Sequence, residues 1–384
     1  VKKNERRKHN KVKKQKLERG KQVQKYLIAL RNFNIVSVFI TKNEEENLPR
    51  LFKSLDGFAD RIVIVDTGST DNTIEVAQKL GAKVYTMTWP DSFSEARNKA
   101  IELANTTKAT WIAMFDADEV LENGKELRTK LQCTNSTIGV VGLYHRTKYG
   151  HKFPRNCIWR PGKAKWLYRF HEHLIPYEKN IQVIIDHNIH HPDDVGKNHD
   201  NDKILEMMRL DVIENPNHHT RKYYYGRQLF YRKDIICLDV LKEVYDNSTW
   251  PAEAAQAVVF AGNFFEEQIK NIEQNPNELQ KDKLISEAKQ IAANFYRMSI
   301  AKYPRLRGSY FGIIRTTTDD YEKLIAAATA IKINESTFFD DPPGYYEPHN
   351  NGMLIGLINK LQHNIQQRQT KGEAPLVGYA ETIS

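Results

Sequence analysis

Asp116-Ala117-Asp118 closes the apolar run Trp111-Ile112-Ala113-Met114-Phe115. Two carboxylates one residue apart at the end of a buried strand are costly to desolvate unless a cation balances them. A hard divalent ion suits such oxygen ligands, and a diphosphate is its natural companion. An Asp-x-Asp alone is a weak signal. Two further polar segments sit in comparable places upstream. Thr41-Lys42-Asn43-Glu44 follows the apolar stretch 35–40, and Asp66-Thr67-Gly68-Ser69 follows 62–65. Each has an ordinary reading as well: Asn43, Ser69, Thr70 or Asp71 as helix caps, and Gly68 as a turn residue. Three such segments, each directly after a strand, point instead to one ligand crevice beyond the carboxyl ends of a parallel sheet.

The elements that must position these residues are legible up to about residue 125. Apolar strands are expected at 35–40, 62–65, 83–85 and 111–115. Between them, helical spacing appears at Leu48, Leu51, Phe52 and Leu55, again at Ile74, Ala77 and Leu80, and over 94–104. Short apolar strands alternating with helices imply βαβ units and a mostly parallel sheet with helices on both faces. Near residue 200 the pattern changes. From Asp202 the chain reads as successive helices, with breaks at Asn215-Pro216-Asn217 and at 247–251. These are expected to form degenerate, tetratricopeptide-like (TPR-like) hairpins of irregular spacing. Three regions follow: a basic extension 1–30, an α/β domain 31–200 and a helical domain 201–384.

The chain has 384 residues, 40% of them hydrophobic, which is enough for two or three folded domains. Residues 1–21 hold eleven Lys or Arg and two Glu, the whole formal charge of +9; the remainder balances, with 46 basic and 46 acidic residues. The extension reads as a solvated tail, or as a surface for nucleic acid, another polyanion or a membrane. No transmembrane segment and no secretory signal are expected. Cys133, Cys157 and Cys237 are odd in number and widely spaced, so reduced thiols of a cytoplasmic protein are the default expectation.

Residues 35–125 resemble the nucleotide-binding half of family 2 glycosyltransferases. The motifs are Lys42-Asn43-Glu44-Glu45-Glu46-Asn47-Leu48, Val65-Asp66-Thr67-Gly68-Ser69-Thr70-Asp71, Phe93-Ser94-Glu95-Ala96-Arg97-Asn98 and Phe115-Asp116-Ala117-Asp118-Glu119. The resemblance implies a GT-A nucleotide-diphospho-sugar transferase fold. It implies that Thr41, Asn43, Glu44, Asp66 and Thr67 hold the base and ribose of a UDP-sugar, though many members carry a second Asp in place of Thr67. Arg97 would approach the diphosphate or base. Asp116 and Ala117 would face the ribose or metal, and Asp118 would bind Mn²⁺ or Mg²⁺.

Trp166-Leu167-Tyr168-Arg169-Phe170-His171-Glu172-His173-Leu174 is similar to a His-Glu segment found in a subset of the family. That subset includes the sublancin-type peptide S-glycosyltransferases, which end in helical repeats. Arg160 stands where the subset often has Arg, and is expected near the donor. Glu172 is the candidate general base, with His171 beside it. A flanking histidine, His173 above all, could instead ligate metal or phosphate, or the run could be structural. His190-His191-Pro192-Asp193-Asp194 reads as a second metal site or a plain loop. Arg221-Lys222-Tyr223-Tyr224-Tyr225 reads as an acceptor cradle or as packing. The expectation is transfer of a glucose-type sugar from a UDP-sugar to a protein or peptide, with inversion. The alternatives are DNA or another polyanion as acceptor, engaged through the tail, and an inactive scaffold. Homodimerisation through the helical domain is a further expectation.

Overall fold

The computed structural model describes residues 33–105, 108–146, 152–179, 181–190, 200–333 and 351–370. The basic extension, His191, Asp193 and Asp194 lie outside the described residues. The chain divides into two compact units, Val1–His199 and Asp200–Ser384.

In the first unit, β1 (Ile35–Thr41), β2 (Arg61–Asp66), β3 (Lys83–Thr86) and β4 (Trp111–Met114) are parallel, in the spatial order β3-β2-β1-β4. The chain winds outward from β1 to β3 and then returns to the other side of β1. That reversal opens a crevice between the carboxyl ends of β1 and β4. Alternation along β1 sends Ile35 and Phe39 into one core layer and Val36 and Val38 into the other. The first layer is covered by α1 (Leu48–Ser54), α2 (Thr73–Lys79) and α4 (Gly124–Gln132), through Leu48, Leu51, Ala77, Leu127 and Leu131. The second is covered by α3 (Phe93–Asn105), through Ala100 and Ile101.

Beyond β4 the sheet departs from the parallel pattern. β7 (Lys152–Trp159) is antiparallel to β4 and to β6 (Val140–Arg146); β10 (Gln182–His190) runs parallel to β6 and antiparallel to β5 (Val120–Leu121). β7 buries only its last three residues fully, so its sequence lacks the continuous apolar run that marks β1, β2 and β4. β8 (Ala164–Leu167) and β9 (His173–Pro176) form a separate antiparallel hairpin, whose Ala164, Trp166 and Leu174 join the second core layer.

The second unit is helical throughout its described residues: α5 (Asn201–Glu214), α6 (His219–Tyr231), α7 (Cys237–Asn247), α8 (Pro251–Gln274), α9 (Lys281–Lys302), α10 (Arg307–Thr316), α11 (Asp320–Lys332) and α12 (Asn351–Thr370). Asp200 and Asp319 cap α5 and α11 with their side chains, and Pro251 opens α8. Lengths run from 10 residues in α10 to 24 in α8, so neighbouring hairpins follow no fixed period. Gly262 and Gly312 make room for the buried Tyr296 ring. A Cβ at either would lie 2.8 or 2.5 Å from it. Tyr223 and Phe230 pack on Phe260, so that part of the 221–225 aromatic run is core.

All three cysteines are unpaired; Cys157 and Cys237 are buried and Cys133 is exposed. Burial pushes the Cys157 thiol up to about 12, which removes it as a nucleophile near neutral pH. Among the described residues, no helix is long and apolar enough to cross a membrane.

Candidate active site

Thr41 and Asp66 end paired strands and face each other in register. The Thr41 hydroxyl donates to Asp66 Oδ2 at 3.2 Å, and the Thr67 backbone N–H donates to the Thr41 carbonyl at 2.9 Å. Gly68 takes φ +106°, which lets the backbone N–H groups of Gly68 and Ser69 both turn back onto Asp66 Oδ1, at 3.0 and 2.9 Å. The loop after β1 is tied to the loop after β2. Asn43 Oδ1 accepts from Thr70 N at 2.8 Å, and Glu44 N donates to Thr73 Oγ1 at 2.7 Å. Asn43, held at φ +56°, therefore fastens two loops. Glu44 is buried and accepts from Asn47 Nδ2 at 2.8 Å.

Across the crevice, the segment after β4 carries a linked set of charges. Arg97, on the first turns of α3, donates through Nη2 to Asp116 Oδ1 at 2.7 Å and through Nε to Glu172 Oε1 at 2.6 Å. Asp116 Oδ2 accepts from Arg155 Nη1 at 3.1 Å. Arg155 Nη2 donates to both oxygens of Glu119, at 2.7 and 2.5 Å. His145 Nε2 lies 3.2 Å from Glu119 Oε1. Burial opposes the charge on Arg97, but Asp116 and Glu172 raise its pKa further above the ordinary arginine value. Burial likewise opposes ionisation of Glu119, yet Arg155 beside it holds its carboxyl below the usual range.

Glu172 rides on the loop between β8 and β9. Tyr168 and His171 in that loop sit at φ +75° and +51°, a conformation that costs non-glycine residues on the order of 1–3 kcal/mol each. Further contacts hold the hairpin and its loop against α3. The Phe93 N–H donates to the Arg169 carbonyl at 2.9 Å; Asn98 both donates to and accepts from the Trp166 backbone, at 2.9 and 3.0 Å; and the Arg97 guanidinium lies 4.8 Å over the Trp166 ring.

Residues 37–195 match the family model for glycosyl transferase family 2. This segment is a family 2 glycosyltransferase domain. Its parallel half-sheet, with Asp-x-Asp at the carboxyl edge beside the strand reversal, is the GT-A arrangement. A TPR repeat-containing protein of Synechococcus elongatus is 43% identical over 94 residues, covering 24% of this chain and 23% of that protein. The SPbeta prophage-derived glycosyltransferase SunS of Bacillus subtilis is 27% identical over 229 residues, covering 54% of this chain and 52% of that protein. The chain thus spans about half or less of the length of these relatives. The crystal structure of S. aureus TarS is 15% identical, over 72% of this chain and 55% of that chain, at a TM-score of 0.36.

The glycosyltransferase domain brings Thr41, Asp66, Thr67, Arg97, Asp116, Asp118 and Glu172 to the carboxyl-edge side of its sheet. Ala117 is 4% exposed and packs in the core layer beneath, which leaves only its backbone for a ligand. His171 stacks edge-on to Phe170 at 4.7 Å, and His173 opens β9, exposed and paired with Leu167. Arg160 is not at this edge. β7 is antiparallel to β4, so Trp159 pairs with Ile112 and Arg160 falls at the amino end of β4. There its guanidinium lies 4.0 Å over the Trp111 ring and its Nε donates to the Ile138 carbonyl at 2.9 Å. Asp116 lies five positions after Trp111, a span of roughly 16 Å in extended chain. The expectation that Arg160 holds the donor is therefore corrected: Arg155, earlier on the same strand, bonds Asp116 on the carboxyl side. No motif marks Arg155; only the strand direction places it.

No group of three or more His, Cys, Asp or Glu side chains among the described residues converges to hold a metal ion by itself. Any cation here would draw part of its coordination from a ligand. The available donors are carboxylate oxygens, which fits a hard ion such as Mg²⁺ or Mn²⁺ completed by phosphate oxygens. Both oxygens of Asp116 already accept from guanidiniums, and Asp118 is the second carboxylate of the same motif.

Proposed function

We propose that this chain is a metal-dependent glycosyltransferase that moves a glucose-type sugar from a UDP-sugar to a protein or peptide acceptor, with inversion. The observation that carries the reading is the convergence of Arg97, Asp116 and Glu172 in one hydrogen-bonded set beside the strand reversal of a family 2 domain. Thr41, Asp66 and Thr67 line the nucleoside side of the crevice. Asp118 would hold the divalent ion, which supplies neutralisation of the departing diphosphate. Arg97, buried and permanently charged, adds a fixed positive centre that needs no reorganisation as UDP leaves. Glu172 takes the acceptor proton: its Oε1 is engaged by Arg97, so Oε2 is the oxygen that acts.

The peptide acceptor rests on the likeness to SunS, a glycosyltransferase aligned over 54% of this chain, and on helical hairpins as a surface for extended peptides. The test is a donor screen. The protein is incubated with a panel of UDP-sugars and Mn²⁺, with and without EDTA, against peptide, DNA and glycan acceptors. UDP release and acceptor mass are read together. EDTA-sensitive addition of a hexose to peptide is expected. A screen in which no UDP-sugar is bound or consumed contradicts the reading. Addition to DNA alone would move the acceptor to nucleic acid.

A further inference from the structure

Asp116 is held at four points. Its backbone N–H donates to Glu119 Oε2 at 2.7 Å, and its carbonyl accepts from the Glu119 N–H at 3.1 Å. Its Oδ1 accepts from Arg97 and its Oδ2 from Arg155. Glu119 stands behind three of these bonds. It grips the Asp116 backbone directly, and through Arg155 it grips the side chain. Glu119 is 1% exposed, and Arg155 spans from it to Asp116 with separate nitrogens, Nη2 and Nη1. A buried ion pair of this kind is weak as a source of stability, because desolvation offsets most of its attraction. Its geometric effect is large: a carboxylate in a turn between β4 and β5 is fixed in position, plane and charge.

We propose that Glu119 and Arg155 are positioning residues, which lock Asp116 in the orientation that receives the donor. This rests on the UDP-sugar reading above. Neither residue needs to touch the donor; both act through Asp116. The same lock reaches Glu172, since Arg97 divides its guanidinium between Asp116 and Glu172. Nucleotide side and base side of the crevice are thereby set by one rigid series of contacts that begins at Glu119.

The experiment is a double-mutant cycle on UDP affinity in Mn²⁺, measured by calorimetry, with thermal unfolding recorded for every variant. Arg155→Met should weaken UDP by roughly tenfold or more, the size of one charge-assisted hydrogen bond. Added to Asp116→Ala, the same change should weaken UDP no further, because the residue it works through is gone. Arg155→Lys should recover only part of the loss, since a single ammonium cannot span Glu119 and Asp116 as the planar fork does. Undiminished affinity in Arg155→Met overturns the inference. So does a further full loss on the Asp116→Ala background, which would mean that Arg155 meets the donor itself. If Arg155→Met does not fold, Arg155→Lys with and without Asp116→Ala is read by the same rule. A wild-type protein that binds no UDP overturns the parent reading, and this inference with it; binding with additive losses overturns the inference alone.

Discussion

Asp116 and Asp118 lie two positions apart and differ in their surroundings. Asp116 is clamped by two guanidiniums, and Ala117 is anchored in the core layer. The metal role proposed for Asp118, which sits beyond that anchor, can be tested directly. Asp118→Ala should abolish Mn²⁺-dependent UDP binding and reduce transfer by more than about a hundredfold, since a metal supplies several kcal/mol of charge stabilisation. Calorimetry with and without Mn²⁺ checks this; wild-type affinity in the variant would remove the metal from Asp118. Glu172 makes a different prediction. Glu172→Gln keeps an oxygen for the Arg97 N–H but cannot take a proton. UDP affinity should stay within a few-fold while turnover falls by about 10²–10⁴-fold. Equal losses in both would make Glu172 a holder of Arg97 rather than a base. At this scale the sequence was informative wherever the ligand side chains sit on one short motif. Asp116 and Glu172, which Arg97 joins in the structure, could both be picked out as candidates. Arg155 was not, because its tie to Asp116 crosses 39 positions and depends on the direction of β7.

Among the elements, α3 is the beam that carries both sides of the crevice. It supplies Arg97, and one residue later Asn98 copies a strand partner by bonding the Trp166 backbone twice. This fastens the β8–β9 hairpin, and with it the Glu172 loop. Asn98→Ala leaves a carbonyl and an N–H without that partner. It should destabilise the domain by about 1–3 kcal/mol and lower turnover more than UDP affinity, because Asp116 keeps its own supports. Thermal unfolding and a steady-state comparison of kcat and KM separate the two effects; a change in KM alone would contradict this. The parallel half of the sheet was readable in advance because buried parallel strands are continuous apolar runs, as in β1, β2 and β4. β7 and β10 were not, since few of their residues are fully buried and inward positions carry polar side chains such as His187, so neither reads as an apolar run. Arg160 was misplaced for the same reason: a strand unseen is a direction unknown.

Taken as a whole, the first unit stores a charge network inside its fold, and that makes its stability depend on acid. The Glu119 carboxyl is held below its usual range in the folded state. The unfolded chain therefore takes up this proton first as pH falls. The stabilisation is complete above about pH 4.3, the ordinary Glu value, and is lost as pH drops through the lower folded value. Glu322 in the helical unit shifts in the same sense, through its hydrogen bond with Arg297. Melting temperature followed from pH 7 to pH 3 should fall steeply below about 4 in the wild type and less steeply in Glu119→Gln. Parallel curves would show that Glu119 does not contribute. The division into an α/β unit and a helical unit could be read from the change of periodicity near residue 200. The lengths of the helices, from 10 to 24 residues, could not, because they follow no repeating period.

The Trp166 indole lies 5% exposed beneath the guanidinium of Arg97, with the Trp159 ring edge-on at 6.5 Å. An indole in contact with a charge reports that charge in its emission. Any ligand that draws on Arg97 must alter the field across this ring, so the domain carries its own optical sensor. Titrating UDP and Mn²⁺ should change the intrinsic fluorescence, and Trp166→Phe should silence the signal while calorimetric affinity persists. Binding seen by heat but invisible in wild-type emission would mean that Arg97 does not answer the nucleotide. If the signal is present, donor preference can be surveyed by light alone, with no label, no acceptor and no turnover.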